Sequence, residues 1–215
     1  MNTPTNRRPT GKIGSPVTPS NTSLTQSPLT SSRFYSSPTT SGSNSDRLDF
    51  ILKQIITWHE KWQAAHRRGI SLCSSIEVIK RRAIDLKEKD KNTDLYPIEE
   101  LQGHCNNLSI IMTILEDVIS NTKVYVKQLE TFNALEEGKS NVIFKTWDIG
   151  KFVEVAHVLL NAYEKEFQIK TIVKENIAHG TTKSELAWHS SVWQYPVYLN
   201  SDVELLLKFL KVEIT

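Results

Sequence analysis

The chain has 215 residues, 26 of them basic and 24 acidic, for a formal net charge of +2. That length suits one domain with an appendage, and the near balance of charge leaves no whole-protein footprint for nucleic acid. No apolar run approaches the ~18 residues of a membrane span and no signal-peptide core opens the sequence, while Cys73 and Cys105 are too few for a disulfide framework; the expectation is a soluble protein of a reducing, intracellular compartment.

Residues 1–45 are rich in Ser, Thr, Pro and Asn, with few aliphatic side chains. Such a segment cannot bury enough apolar surface to offset the entropy of ordering, which predicts a disordered tail. It carries Arg7, Arg8, Lys12 and Arg33 and no acid before Asp46. Five Ser/Thr-Pro pairs begin at Thr3, Ser15, Thr18, Ser27 and Ser37. An extended basic tail presents such pairs to a proline-directed kinase, and each phosphate adds roughly −1.5 to −2 charges. These five are the phosphorylation candidates, although a tail of this composition also yields such pairs by chance.

A coiled-coil hairpin is predicted over 46–137. Its first helix starts near Ser45 or Asp46, an N-cap candidate, with Asp49 in the first turn. Leu48, Ile51, Ile55, Trp58, Trp62 and Ala65 follow a heptad seam that runs on through Gly69, Leu72, Ile76, Ile79, Ala83 and Leu86. The unbroken register predicts one helix to about Lys89, roughly 65 Å long at 1.5 Å per residue. Gly69 costs about 1 kcal/mol inside it, and marks either a kink or the close approach of another element. After a turn over 90–97, Pro97 suits a first helical position, with Glu99 and Glu100 at the positive helix end. The second seam is Leu101, Cys105, Leu108, Met112, Leu115, Ile119, Val126 and Leu129, and Gly138 suits the stop. Ile111, Val118, Tyr125 and Phe132 widen that seam, which calls for a third helix beside an antiparallel pair.

The C-terminal segment, 146–215, supplies it. A third helix is predicted over 149–179, N-capped by Asp148 and stopped by Gly180. At 100° per residue, Phe152, Val153, Val155, Ala156, Leu159, Leu160 and Tyr163 share one face. Lys170 and Lys174 fall on that same face further along, while Ile169, Ile172, Val173 and Ile177 rotate away. The helix is therefore expected to pack on the hairpin first and on something else later, either the last two helices or a partner. Thr182–Glu185 and Ser201–Glu204 both fit capping boxes; they open helices over 183–193 and 202–212. The fold class is thus all-α: a long antiparallel coiled-coil hairpin, a third long helix and short C-terminal helices, preceded by a disordered N-terminal tail.

The chemistry of an enzyme is missing from the pattern. No glycine-rich phosphate loop is present, and His59-Glu60 lacks a second His at metalloprotease spacing. Cys73, His104 and Cys105 offer three ligands where a structural zinc wants four. The expectation is no catalytic residue, cofactor or metal. Arg67-Arg68 and Lys80-Arg81-Arg82 are followed by Asp85, Glu88 and Asp90, which favours a solvated helix face over sequence-specific nucleic-acid binding. Trp147, Trp188, Trp193, Tyr195 and Tyr198 are either core or interface anchors. The partner-binding candidates are Trp147, Ile169, Val173, Ile177, His179, Trp188, Trp193, Tyr195, Pro196 and Tyr198. For His179, capping of the last helix carbonyls is the competing role.

From Thr146 onward the sequence resembles the cyclin-dependent kinase 2-interacting protein (CINP) family. The resemblance is carried by Thr146-Trp147, Phe152, Glu154-Val155, His157, Leu159-Leu160, Tyr163, Lys165-Glu166, Lys170, Val173, Ala178-His179, Trp193 and Pro196. It extends more weakly to Lys61-Trp62 and the small residues near Gly69, and covers helix 2 and the tail only in character. The resemblance implies a non-catalytic adaptor linking cyclin-dependent and origin-firing kinases in DNA replication and DNA-damage checkpoint signalling, in the nucleus and also open to the cytoplasm. It implies as an alternative a structural subunit of an AAA ATPase remodelling complex acting on replisome proteins and maturing large ribosomal subunits. The heptad seams alone leave a third reading open, a coiled-coil homo-oligomer with a tethering role.

Overall fold

The computed structural model describes residues 44–89, 98–135 and 144–215. The tail with its Ser/Thr-Pro pairs, the turn that holds Pro97, and Gly138 lie outside them. Heptad spacing becomes two long helices, α1 (Asn44–Lys89) and α2 (Ile98–Leu135), followed by α3 (Ile149–Asn176), α4 (Lys183–Gln194) and α5 (Ser201–Glu213). The guanidinium of Arg47 lies 5.5 Å from the ring centre of Phe132, so the start of α1 meets the end of α2 and the hairpin is antiparallel. Lys123–Glu164 (2.7 Å) and His157–Glu130 (2.8 Å) place α3 antiparallel to α2. Trp62 of α1 stacks on Tyr163 of α3 with centroids 4.6 Å apart, which closes a three-helix core.

Leu48, Ile55, Trp62 and Ile76 of α1, Leu108, Leu115 and Leu129 of α2, and Phe152, Leu159 and Tyr163 of α3 fill that core. Fully burying an apolar side chain of this size contributes about 1.5–3 kcal/mol. The buried stripe on α1 is wider than a heptad seam, because it also takes in Leu52, His59, Cys73 and Lys80. A seam describes one neighbour, whereas α1 packs on both α2 and α4. Trp58 and Leu72 are accordingly only half-buried, and Leu86 is exposed.

Helix α1 runs unbroken through Gly69. A Cβ there would lie 2.2 Å from Cζ2 of Trp193, so the glycine marks a close approach. The indole N–H of Trp193 donates to the carbonyl of His66, 3.2 Å away. Contacts of Ser190 with the Cys73 carbonyl (3.4 Å) and of Lys183 with Asp85 (2.5 Å) extend the same antiparallel alignment along α1. Helix α5 continues beyond α4, with its end at the start of α3: the Glu213 carboxylate accepts the backbone N–H of Thr146 and of Trp147. Together α4 and α5 form the fourth layer of the bundle, interrupted at 195–200.

Asp148 caps α3 and accepts the Lys151 N–H at 2.8 Å, and the Thr182–Glu185 capping box opens α4. At α5 the cap is Asn200 and not Ser201: Oδ1 of Asn200 accepts from the N–H groups of both Asp202 (3.1 Å) and Val203 (3.2 Å). One Asx oxygen thus reaches two of the orphan donors at the helix start. The third helix stops at Asn176, three residues before the expected end. Backbone bonds close it, from Ile177 N–H to the Val173 carbonyl and from His179 and Gly180 N–H to the Asn176 carbonyl.

The expected rotation of the α3 face does not occur. Lys170 lies in the core and so does Val173; the face that holds Phe152 to Tyr163 continues inward through a lysine. Helical projection placed Lys170 on the docking face, and the expectation that the face turns rested on its charge, because an isolated buried ammonium is costly. Here it is paired, as follows.

Candidate functional site

The break in the fourth layer is set by Pro196, which has no N–H and holds Tyr195 in extended backbone at φ −110, ψ 92. Breaking a helix against a core strands backbone groups, and one pair on α3 collects them. The Lys170 ammonium donates to the Trp193 carbonyl at 3.2 Å. Oε2 of Glu166 accepts from the consecutive N–H groups of Val197 (3.0 Å) and Tyr198 (3.1 Å). Lys170 Nζ lies 3.2 Å from Glu166 Oε1, one turn away, with both side chains fully buried. The ammonium also sits 4.7 Å from the ring centre of Trp193. Burial pushes the Lys170 pKa below the usual lysine range, and the Glu166 carboxylate pulls it back up.

Outside this joint, the fourth layer exposes a set of large apolar side chains. On α4, Ser190 and Lys183 mark the flank toward α1. Trp188, Val192 and Tyr195 recur at i, i+4 and i+7 away from that flank, with Trp188 56% exposed. Val197 and Tyr198 are exposed at the break, where Tyr198 lies under the Lys165 ammonium, 5.4 Å from its ring centre. Helix α5 buries Val203, Leu207 and Leu210, and exposes Leu205, Phe209 and Val212 on its other side, the last two 51% and 60% exposed. A helix apolar on both sides suits burial all round, yet among the described residues α5 has neighbours on one side only, α1 and α3. Charges over its outer surface are sparse: Glu204 is held by Gln63 (3.1 Å) and Lys211 by Glu60 (2.9 Å), leaving Asp202 and Lys208 exposed. Charge-poor, aromatic-rich surface is the composition of an interface centre.

Of the partner-binding candidates, Trp188, Tyr195 and Tyr198 lie on this face. Pro196 and Ile169 are half-buried. Trp147 is half-buried against Phe152, with ring centroids 5.3 Å apart. His179 is exposed beyond the end of α3. Val173, Ile177 and Trp193 are fully buried and belong to the core, because α4 folds back over that part of α3. Leu205, Phe209 and Val212 were not among the candidates. Their signal was the 4-then-3 spacing on α5, opposite a second apolar set that already sufficed for packing.

Polar groups inside the bundle are arranged for structure. His59 Nδ1 lies 2.9 Å from the Tyr163 hydroxyl, and its Nε2 lies 3.4 Å from Glu204. Burial holds the His59 pKa below the ordinary histidine value, against the pull of Glu204. His66 is pushed down to about 4, first by burial and then by the nearby Lys170 and Arg67 cations. The Cys73 thiol is pushed up to about 12 by burial, which keeps it protonated and unreactive. Among the described residues no cluster of His, Cys, Asp and Glu is placed to hold a metal ion, and no helix is long and apolar enough to cross a membrane.

The fold and its outer layer define an all-helical protein built on a coiled-coil hairpin, with a broken fourth layer that exposes an apolar face. No protein-family model matches the chain. It is 29% identical over 181 residues to the cyclin-dependent kinase 2-interacting protein of Homo sapiens, a match covering 73% of this chain and 84% of that protein. The protein of the same name from Bos taurus is also 29% identical over 181 residues. That of Xenopus laevis is 22% identical over 173 residues, covering 73% of this chain and 83% of the frog protein. The chain is related to the cyclin-dependent kinase 2-interacting protein family.

Proposed function

We propose that the chain is a non-catalytic adaptor that engages a cyclin-dependent kinase and joins it to the origin-firing kinase in DNA replication and DNA-damage checkpoint signalling, acting in the nucleus. The observation that carries the adaptor reading is the exposed apolar face of the fourth layer, with Trp188, Tyr195, Leu205, Phe209 and Val212 pointing away from the core. The names of the relatives supply the kinase as the partner to test. Purified full-length chain is expected to retain purified cyclin-dependent kinase 2 on a column. Trp188→Ala combined with Phe209→Ala is expected to lose it while the helical circular dichroism stays unchanged. Retention of the kinase by a folded double variant removes the face from the reading.

A second reading is favoured by one feature. Helix α5 is apolar on both sides, which suits permanent burial in an obligate assembly better than transient docking. On that reading the chain is a structural subunit of an AAA ATPase remodelling complex that acts on replisome proteins and on maturing large ribosomal subunits. The two separate by gel filtration of cell extract. A kinase adaptor exchanges between free and bound pools, whereas an obligate subunit migrates only with its ATPase.

A further inference from the structure

We propose that Glu166 and Lys170 are positioning residues, whose buried pair braces the break that Pro196 makes in the fourth layer and thereby presents Val197 and Tyr198 to the kinase. The proposal rests on the docking role of the outer face. An uninterrupted helix of this length over the bundle would need neither residue. The chain instead stops α4 at Gln194, crosses Pro196 and restarts at Ser201. Three backbone groups of that crossing have their bonds on this one pair: the Trp193 carbonyl on Lys170, and the Val197 and Tyr198 N–H groups on Glu166. A carboxylate that takes two consecutive N–H groups on one oxygen fixes the backbone direction at both residues, because the donors must converge. The two side chains beyond them are then held outward, and Tyr198 is steadied further by Lys165. The same α3 turn holds both charges, so the aromatic loop is referred to the rigid core and not to its own flexible backbone. Preorganising a contact loop in this way lowers the ordering cost of binding. Two apolar side chains could pack the same space, but they could not accept these N–H groups. The pair is therefore tied to the shape of the loop more than to the stability of the bundle.

The test is hydrogen–deuterium exchange on the full chain bearing Glu166→Leu with Lys170→Met, which removes both charges together. The Val197 and Tyr198 amides are expected to exchange at least tenfold faster, with amides of α1 to α3 unchanged. Wild-type protection of those two amides in the folded variant overturns the proposal. Should that variant fold poorly, Glu166→Gln with Lys170→Met retains volume and one acceptor, and is expected to give a smaller acceleration; none at all overturns the proposal equally. Binding of purified cyclin-dependent kinase 2 is measured on the same proteins. Faster exchange with at least tenfold weaker binding supports both readings. Faster exchange with unchanged binding leaves the joint standing as a structural device, but overturns its positioning role and removes the loop from the docking face.

Discussion

Gly69→Ala tests the packing of the fourth layer through the sign of its effect. In an exposed helix the change stabilises by about 1 kcal/mol, because alanine has the better helix propensity. In this bundle the new methyl would lie 2.2 Å from Cζ2, 2.4 Å from Cε2 and 2.5 Å from Nε1 of Trp193, whereas ordinary contact is 3.4–4 Å. The indole must retreat by more than an ångström. It cannot do so by flexing, since Trp193 is fully buried and its N–H is bonded to the His66 carbonyl. Overpacking of this kind costs about 1–3 kcal/mol, and the lost hydrogen bond about 1 kcal/mol more. Against the propensity gain the net is a destabilisation of about 2 kcal/mol, or roughly 4–8 °C in melting temperature for a domain of this size. Thermal unfolding followed by circular dichroism reads it. The control is Trp193→Ala, which deletes the three atoms in conflict; on that background Gly69→Ala becomes neutral or stabilising, giving a coupling of about 2–3 kcal/mol in the double-mutant cycle. A higher melting temperature for Gly69→Ala in the otherwise unchanged protein would refute the close approach, and with it the docking of α4 on α1.

Stability is expected to fall as pH falls from about 6.5 to about 4. His66 is pushed down to about 4 in the folded chain, so the unfolded chain takes up the proton first and is favoured across that window. The loss is at most about 3–4 kcal/mol at 1.36 per pH unit, less for solvent screening at this partly open site. His59 and His189 are also lowered, by burial foremost, and act in the same direction; His66→Gln should flatten the window in urea titrations at pH 7 and pH 4.5. Asn200→Ala should cost about 1 kcal/mol while Ser201→Ala stays within a few tenths, since Asn200 holds the cap. Equal losses would return the cap to Ser201. Trp193→Ala should cost about 3–5 kcal/mol, and Trp188→Ala no more than about 0.5, by chemical denaturation. The reverse ranking would exchange their assignments to core and surface.

Heptad arithmetic made most of the architecture legible. The seams of α1 and α2, the excess width of α2, the Asp148 cap and the Thr182 box are local signals, each read within one turn or one repeat. What stayed hidden is what depends on a distant neighbour. Gly69 could be narrowed to a kink or a close approach, but the indole that decides between them comes from Trp193, far along the chain. Projection put Lys170 on the docking face, but its charge argued that the face had left the core, and only its partners on α3, α4 and the 195–198 loop reverse that. Trp188 and Trp193, five residues apart, are indistinguishable by type; their fates differ because α4 turns one toward α1 and the other away. At α5, apolar residues fall on both sides of one short helix, and only the packing on α3 shows that Val203, Leu207 and Leu210 turn inward.

The residues that carry the family resemblance are not the residues of the exposed face, and this follows from what each must do. Lys165-Glu166, Lys170, Trp193 and Pro196 all belong to the break or its support. Tyr163 stacks on Trp62, and His157 meets Glu130 on α2. Each of these requires a particular group at a particular place: a carboxylate for two N–H donors, an ammonium for one carbonyl, a ring over a glycine, a tertiary amide to end a helix. Trp188, Tyr195, Leu205, Phe209 and Val212 need only be apolar and outward to form a face, so another chain can build that face from other apolar residues. Sequence resemblance therefore reports the joint more readily than the surface it shapes. The same reasoning separates the two in experiment: substitutions at the joint change the backbone of the loop, whereas substitutions on the face leave the fold intact and alter only what it holds.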